Sequence, residues 1–357
     1  MSIKKISQMT GASAATVSRV LNNPDYKCKT KGLREKIWAA AALINYTPNE
    51  AARSLKKGEA YGTKNYFINI LITRSDHTHS DPFFDEVLRV IESEIHKKSC
   101  ILSAVWYNSV FSDDKKSARA RCDELTDEMY AQTGGKCDGL IVIGRCNKEA
   151  LKKLKIRFKN VVSVNRNSTN YEVDEVLCDG TKIASLAIEH LIKLGHTNIA
   201  YVGHVRNEAR YTGYLETLKK HDIEAVPDYV YETNQTEAEG YKVMESVLKN
   251  DDKPTAFYCA NDITAIGLIK CLNHYRNRYY IPSIISSDNI EESQYTQPML
   301  TTVNLPKEEM GRFGVELLID RITGRHKNVI RLEIEGNLVA RNSCAPADET
   351  YITEYYI

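Results

Sequence analysis

The sequence predicts an α/β protein with a small all-helical head, followed by a two-lobed body built on parallel sheets. The chain has 357 residues, which is more than a single hydrophobic core normally serves. Apolar residues with helical spacing fill the first segment, up to about residue 47. From residue 66 onward, apolar runs bounded by turns alternate with amphipathic stretches, a pattern typical of parallel sheets with crossover helices.

The head has the pattern of two short helices joined by a turn and followed by a third helix over residues 33–43. Ser2 and Ser13 are the predicted N-caps, and Gly11 supplies the turn. A plain helical hairpin is the alternative. The side chains that we expect to face inward are Ile3, Ile6, Met9, Val17, Val20, Leu21, Ile37, Ala40, Ala41 and Ile44.

The outer face of the second helix favours DNA binding over the plain hairpin. Its residues are small or hydroxylic, so the helix can approach a major groove closely, and Arg19 can bond guanine O6 and N7 together. A surface salt bridge is the alternative role for Arg19. Residues 1–60 hold 11 Lys or Arg against 4 Asp or Glu, whereas the rest holds 37 against 43. A basic head on an acidic body indicates a polyanionic partner for the head.

The runs IKKISQMTGASAATVSRVLN (3–22) and INYTPNEAARSLKKG (44–58) resemble the lactose/galactose repressor (LacI/GalR) family. The stretch 23–33 is longer than is usual in that family. The resemblance implies that residues 48–65 form a hinge helix and linker, folded only on DNA, with Leu55 wedged into the minor groove unless it packs in a core. The DNA-binding residues implied by position are Ser13, Ala14, Ala15, Thr16, Ser18, Arg19, Asn22, Asn49, Leu55 and Lys56.

The body shows strands and helices in alternation. Two lobes fill its length, and we expect the chain to cross between them near residues 163–165 and 289–304. The predicted strands are 67–73, 101–107, 139–144, 161–164, 199–203, 256–260, 284–287 and 301–305; the predicted helices are 83–97, 182–193, 209–221, 237–248, 264–275 and 307–323.

The resemblance extends over the body, most specifically in VLCDGTKIASLAIEHLIKLGHTNIAYVG (176–203), and implies a periplasmic-binding-protein-like, effector-binding core. Ligands of parallel sheets bind beyond the carboxyl ends of the strands. Arg210 occupies the family's effector-binding position, with a lobe-to-lobe ion pair as the alternative. Asp262 is expected to cap a helix. The candidate effector-binding residues are Phe83, Phe84, Asn165, Arg210, Gln235, Asn261 and Asp288, of which the two phenylalanines have core packing as their alternative.

Five segments are therefore expected. They are a helix-turn-helix domain (1–47), the hinge helix and linker (48–65), lobe one (about 66–163 and 307–334), lobe two (about 164–290 and 335–345) and a short C-terminal tail (346–357).

The sequence lacks the signatures that would indicate catalysis. G-x-S-x-G, H-E-x-x-H, G-x-x-x-x-G-K-[ST] and G-x-G-x-x-G do not occur, so neither an enzyme nor a cofactor is expected. Nine scattered cysteines without C-x-x-C predict reduced thiols and no metal site. No run reaches the roughly 18 apolar residues of a membrane helix, and no signal core begins the chain, so we expect a cytoplasmic protein.

The sequence therefore predicts a transcriptional repressor that binds double-stranded operator DNA as a homodimer, because a pseudo-palindromic operator needs two heads. A small-molecule effector, expected to be a sugar such as a galactoside acting as inducer, controls it. A regulator with a purine or another metabolite as corepressor is the alternative. A sugar-binding transport protein and a sugar or nucleoside hydrolase are further alternatives, disfavoured by the head and by the lack of clustered carboxylates.

Overall fold

The computed structural model describes most of the chain as two compact units, residues 1–65 and 66–357, and each is considered separately. The described residues are 3–22, 26, 28, 30, 32–44, 65–74, 81–112, 116–275 and 280–348.

The first unit is the helical head. Helices α1 (Ile3–Thr10), α2 (Ala14–Asn22) and α3 (Leu33–Leu43) surround a small apolar core. Gly11 has a φ of 68°, a left-handed conformation that glycine adopts without strain, and this allows the sharp turn between α1 and α2. The predicted helix-turn-helix is confirmed. The buried core residues of the head are Ile6, Ala12, Val17, Val20, Leu21, Ile37, Ala40 and Ala41.

Local hydrogen bonds explain where the second helix begins. The Ser13 Oγ accepts a bond of 3.1 Å from the Thr16 backbone N–H, which makes Ser13 the N-cap of α2 as predicted. The expectation for Met9 is wrong, because its side chain is 48% exposed on α1. Ser2, the predicted cap of α1, lies outside the described residues.

The second unit contains two six-stranded sheets. In the first sheet the order is β11-β5-β4-β3-β1-β2, and all neighbouring strands are parallel. Strand β1, which lies between β3 and β2, is buried on both faces, as its continuous apolar sequence predicts. The strands are β1 (Phe67–Ile72), β2 (Ile101–Tyr107), β3 (Gly139–Ile143), β4 (Val161–Asn165), β5 (Asp174–Leu177) and β11 (Arg331–Glu333).

The second sheet has the order β12-β10-β9-β8-β6-β7, parallel except for the antiparallel pair β10 and β12. We call the part of the body around the first sheet lobe one and the part around this sheet lobe two. The strands are β6 (Ile199–Gly203), β7 (Val230–Glu232), β8 (Ala256–Cys259), β9 (Ser283–Asp288), β10 (Thr301–Asn304) and β12 (Asn337–Val339).

Helices cover the sheets between successive strands, which confirms the predicted α/β class. In lobe one they are α4 (Pro82–Lys97), α5 (Lys116–Gln132), α6 (Lys148–Phe158) and α11 (Lys307–Ile322). In lobe two they are α7 (Gly180–Lys193), α8 (Ala209–Lys220), α9 (Glu237–Lys249) and α10 (Asp262–Tyr275).

The first crossover between the lobes comes later than residues 163–165. Strand β5 pairs in parallel with β4, so lobe one continues to Leu177 and lobe two begins with α7. Strand β10 belongs to lobe two, and the chain returns to lobe one between Asn304 and Lys307, at the end of the predicted interval.

Strand β5 was not predicted because it is acidic rather than apolar. Asp174 and Glu175 are nevertheless almost fully buried, because distant cations compensate them. The Arg321 Nη2 donates to Asp174 Oδ1 at 2.7 Å, and the His326 Nε2 lies 2.9 Å from Asp174 Oδ2. Helices α5 and α6 and strands β7, β11 and β12 were also not predicted.

Candidate functional site

The first candidate site is the outer face of α2. Ser13, Ala14, Ala15 and Arg19 are exposed there, whereas Thr16 and Ser18 are half-buried. The Ser13 and Thr16 hydroxyls lie 2.9 Å apart, so both also serve the helix start. The result is a face of small residues with a single long cation.

Four of the predicted DNA-binding residues cannot be placed. Asn49, Leu55 and Lys56 lie outside the described residues, and so does the side chain of Asn22.

The second candidate site is a cleft of about 570 Å³ between the two lobes of the body. Loops that follow strands of both sheets surround it, as expected for parallel sheets. Of the predicted effector residues, Phe84, Asn165, Arg210 and Gln235 line this cleft. Phe83, Asn261 and Asp288 are not among its lining residues.

Arg210 is buried at the start of α8, where Glu208 caps the helix. Its Nε donates to Glu208 Oε1 at 2.7 Å, its Nη1 donates to the Ala260 carbonyl, and its Nη2 lies 3.4 Å from Gln235 Oε1. Burial opposes ionisation of Glu208, but the adjacent guanidinium lowers its pKa to about 2, so the pair stays charged. The partner of Arg210 is in its own lobe, which contradicts the alternative of a lobe-to-lobe ion pair.

A lobe-to-lobe ion pair does exist at Arg166. This residue follows β4 in lobe one, and its Nη1 bonds Asp288 Oδ1 at the end of β9 in lobe two. The guanidinium also lies 4.6 Å from the Phe83 ring centroid and 5.3 Å from that of Phe84. Phe83 is therefore a packing residue beneath Arg166, and Phe84 alone of the two reaches the cleft.

Arg74 makes a second bridge across the cleft. It follows β1 in lobe one and donates to three groups of lobe two: His204 Nε2 at 2.7 Å, the Asn234 carbonyl at 2.9 Å and Gln235 Oε1 at 2.6 Å. Burial and the neighbouring Arg74 lower the pKa of His204 to about 4, so this imidazole is neutral near pH 7 and accepts the bond.

Asn261 takes the helix-capping role that we predicted for Asp262. The Asn261 Oδ1 accepts from the Thr264 backbone N–H at 3.2 Å, so Asn261 caps α10. Its Nδ2 donates to the Gln235 carbonyl at 3.1 Å, which supports the cleft wall from behind. Asp262 is instead buried within the helix and accepts bonds from the Ser286 and Thr302 hydroxyls.

Sequence reasoning missed several charged residues of the cleft. The available signal was position, because these residues lie at or shortly after the carboxyl ends of strands. The missed charged or titratable lining residues are Arg74, Arg145, His204, Arg206, Glu208 and Glu232.

Neither a metal cluster nor a membrane-spanning helix is present among the described residues. No group of three or more His, Cys, Asp or Glu side chains in these ranges is placed to hold a metal ion. No helix in the same ranges combines the length and the apolar character that a membrane span requires.

Comparison with known proteins matches both units. Residues 2–49 match the family model of bacterial regulatory proteins, lacI family, and residues 188–344 match the periplasmic binding protein-like domain. A relative from Aliivibrio salmonicida, the HTH-type transcriptional repressor PurR, is 30% identical over 353 residues, covering 96% of this chain and 98% of that protein.

Solved structures share the fold. A LacI family transcriptional regulator from Enterococcus faecium with bound ribose is 26% identical with a TM-score of 0.62, covering 78% of this chain and 99% of that one. The lac repressor dimer bound to operator and the anti-inducer ONPF is 22% identical with a TM-score of 0.65, covering 97% and 99%. Two matched family models and a relative spanning nearly the full length lead to one conclusion: the chain belongs to the lacI family of bacterial regulatory proteins, and it is a DNA-binding transcriptional repressor controlled by a small-molecule effector.

Proposed function

We propose that α2 enters the major groove of a pseudo-palindromic operator and that Arg19 is its main base-reading residue. The exposed guanidinium on a face of small side chains carries this proposal, because such a face lets the backbone come close to the base edges. Ala14 and Ala15 offer apolar contact, and Ser13, Thr16, Ser18 and Asn22 contact phosphates. The protein acts in the cytoplasm, where it binds DNA and performs no catalysis.

Two heads are needed for a pseudo-palindrome, and we infer a homodimer. An apolar surface in lobe two supports this inference. Tyr275, Tyr295 and Met299 are 49%, 74% and 44% exposed, beside a hollow partly walled by Ile263 and Ile266. The solved lac repressor named above was crystallised as a dimer on its operator.

We place the boundaries of the head at residues 1–47 and of the hinge at 48–65. In this proposal Asn49, Leu55 and Lys56 contact DNA once the hinge folds between two subunits. Short helices are marginal alone, so the state of the body decides whether the hinge forms.

The effector binds in the cleft between the lobes, and we propose that it is a sugar whose binding releases DNA, with a galactoside as the first candidate. Arginine and amide donors dominate the cleft and suit hydroxyl groups. Arg210, Asn165 and Gln235 bind the ligand directly, while Phe83, Asn261 and Asp288 hold the walls.

A purine acting as corepressor is the second candidate. The curated relatives named PurR favour it, and the Phe84 ring in the cleft wall is able to stack on a base.

The test begins with selection of duplexes from a random pool by the full-length protein, followed by fluorescence anisotropy. Wild-type protein should enrich a pseudo-palindrome. Arg19→Ala should weaken operator binding at least about fivefold per half-site, because a bidentate base contact contributes about 1–3 kcal/mol. Salt-sensitive binding to random DNA should remain.

The matched control is Arg157→Ala, an exposed arginine of lobe one paired with Asp127. Equal operator affinity of Arg19→Ala and Arg157→Ala would contradict the role of α2. The same assay with added sugars and purines decides between the two effector candidates, since an inducer weakens and a corepressor strengthens the complex.

A further inference from the structure

The cleft carries an excess of positive charge. Two glutamates line it, Glu208 and Glu232. Five arginines line it, namely Arg74, Arg145, Arg166, Arg206 and Arg210. A neutral sugar needs hydrogen-bond partners but no net charge, so the excess requires a separate explanation.

Arg166 and Arg210 have acidic partners in direct contact. Glu208 contacts Arg210, and Asp288, which lies behind the lining, contacts Arg166. These pairs are nearly fully buried and belong to the cleft walls.

Among the described residues, Arg74 bonds only to neutral groups. Its hydrogen bonds are accepted by His204, the Asn234 carbonyl and Gln235 Oε1. Asp81 and Glu208 interact with its charge only by longer-range electrostatics. Burial lowers the pKa of the Arg74 guanidinium, and so do Arg166 and Arg210. An anion in the cleft would relieve this repulsion.

Arg206 is exposed at the rim of the same cleft, two residues after His204. Within the described part of the chain it has no ion pair. Arg206 is therefore an exposed cation at the same cleft as Arg74.

Gln235 supplies an independent sign of a missing ligand. Its side chain is 4% exposed, and its Oε1 accepts from both Arg74 and Arg210, which fixes the orientation of the amide. Its Nε2 is buried without a hydrogen-bond partner in the described structure. A buried donor without a partner is costly, so a ligand oxygen is its natural acceptor.

We propose that the effector carries a phosphate group, bound by Arg74, Arg206 and the Gln235 amide, so that the ligand is a phosphorylated sugar rather than a free one. The proposal rests on the cleft being the effector site. It specifies that the effector is negatively charged, a property that the proposed function does not define.

Phosphate fits these donors better than the other anionic group of small metabolites. A phosphomonoester carries a charge of about −1.5 to −2 near pH 7 and three terminal oxygens. The guanidiniums of Arg74 and Arg206, which have no acidic contacts among the described residues, match the charge of the phosphate. Together with the Gln235 amide they give three donor groups for its three terminal oxygens. A carboxylate has a single charge and would leave one of the two guanidiniums uncompensated. Arginine also binds phosphate in a bidentate manner.

The first experiment uses inorganic phosphate as the probe of the full-length protein. Its binding is followed by ³¹P NMR line broadening at constant ionic strength set with chloride. Wild-type protein should show saturable broadening. The double variant Arg74→Gln/Arg206→Gln should lose at least about tenfold in phosphate affinity, because hydrogen bonds to charged groups are the strong ones. Arg157→Gln, which removes an exposed arginine elsewhere in lobe one, should bind as wild type.

The second experiment compares galactose with galactose 6-phosphate, and glucose with glucose 6-phosphate, by calorimetry. Each phosphate ester should bind at least about tenfold more tightly than its parent sugar, and the double variant should erase the difference. Circular dichroism and cooperative thermal unfolding show that the variants are folded.

Several results would overturn the proposal. They are non-saturable phosphate broadening, equal phosphate affinity of the double variant, and parent sugars that bind as tightly as their esters. Failure of the operator selection with intact phosphate binding would count against the proposed function alone, so the two failures are distinguishable.

Discussion

At the scale of single residues, the sequence predicted some residues of the cleft and missed others. Arg210 and Gln235 line the cleft, whereas Arg74 and Arg206 were not foreseen. An arginine after a strand looks like any solvated loop residue in a sequence. Its role depends on partners such as Asn234, which is 160 positions away from Arg74.

Asp262 provides a residue-scale prediction about pH. Burial and the nearby Asp288 raise its pKa to about 7 from 3.8, although three hydrogen bonds oppose the shift. Between pH 4 and 7 the unfolded carboxyl is ionised while the folded one retains its proton, so this group's contribution to stability falls as pH rises. The asparagine in the Asp262→Asn variant does not titrate. The free energy of unfolding of this variant, relative to that of wild type, should therefore rise over that interval by at least about 1 kcal/mol.

Urea unfolding at pH 4, 5, 6 and 7 measures this difference. The control is Glu237→Gln, which changes a partly exposed acid in the first turn of α9 that pairs with Lys270. For this variant we expect no comparable trend. Parallel pH curves for wild type and Asp262→Asn would refute the prediction.

At the scale of elements, close helix packing in lobe two depends on glycines. A Cβ on Gly240 of α9 would lie 2.1 Å from the Thr264 carbonyl oxygen, and one on Gly267 of α10 would lie 2.1 Å from that of Glu237. The two helices therefore meet backbone to backbone. The sequence shows a glycine inside a helical pattern but not the helix against which it packs.

Gly267→Ala should therefore destabilise the body. Alanine stabilises a helix by about 1 kcal/mol relative to glycine. At a position with room for a Cβ, the substitution would therefore raise the stability of the protein. Overpacking against a backbone carbonyl should outweigh this gain and lower the free energy of unfolding by about 1–3 kcal/mol or more. Chemical denaturation measures the change, with the exposed Ser246→Ala on α9 as control, expected within about 0.5 kcal/mol of wild type. A stabilised Gly267→Ala protein would show that the helices separate easily.

At the scale of the whole body, two cationic bridges join the lobes across the cleft. The Arg166–Asp288 pair is buried close to the crossover, and the Arg74 bridge spans the mouth of the cleft. Because Arg74 bonds three groups of the opposite lobe without help from a ligand, it favours the closed arrangement. A ligand that engages Arg74 therefore acts on lobe closure directly.

Arg74→Ala should open the lobes of the ligand-free protein. Loss of three hydrogen bonds at about 0.5–1.5 kcal/mol each should shift the balance between closed and open states at least about tenfold. Small-angle X-ray scattering should then give a larger radius of gyration than for wild type or for Arg157→Ala. An unchanged scattering curve would mean that Arg166 and the packing of the crossover hold the lobes by themselves.

The sequence by itself determined the helix-turn-helix head, the alternation of strands and helices in the body and the edge of the sheets at which the cleft lies. These features follow from local periodicity, N-caps and glycine turns, which act over a few residues. Tertiary structure alone decided that acidic β5 is a buried strand, where the lobes divide and which cations share the cleft. Each of those outcomes depends on compensation between distant charges, such as Arg321 with Asp174, and no local pattern encodes such pairs.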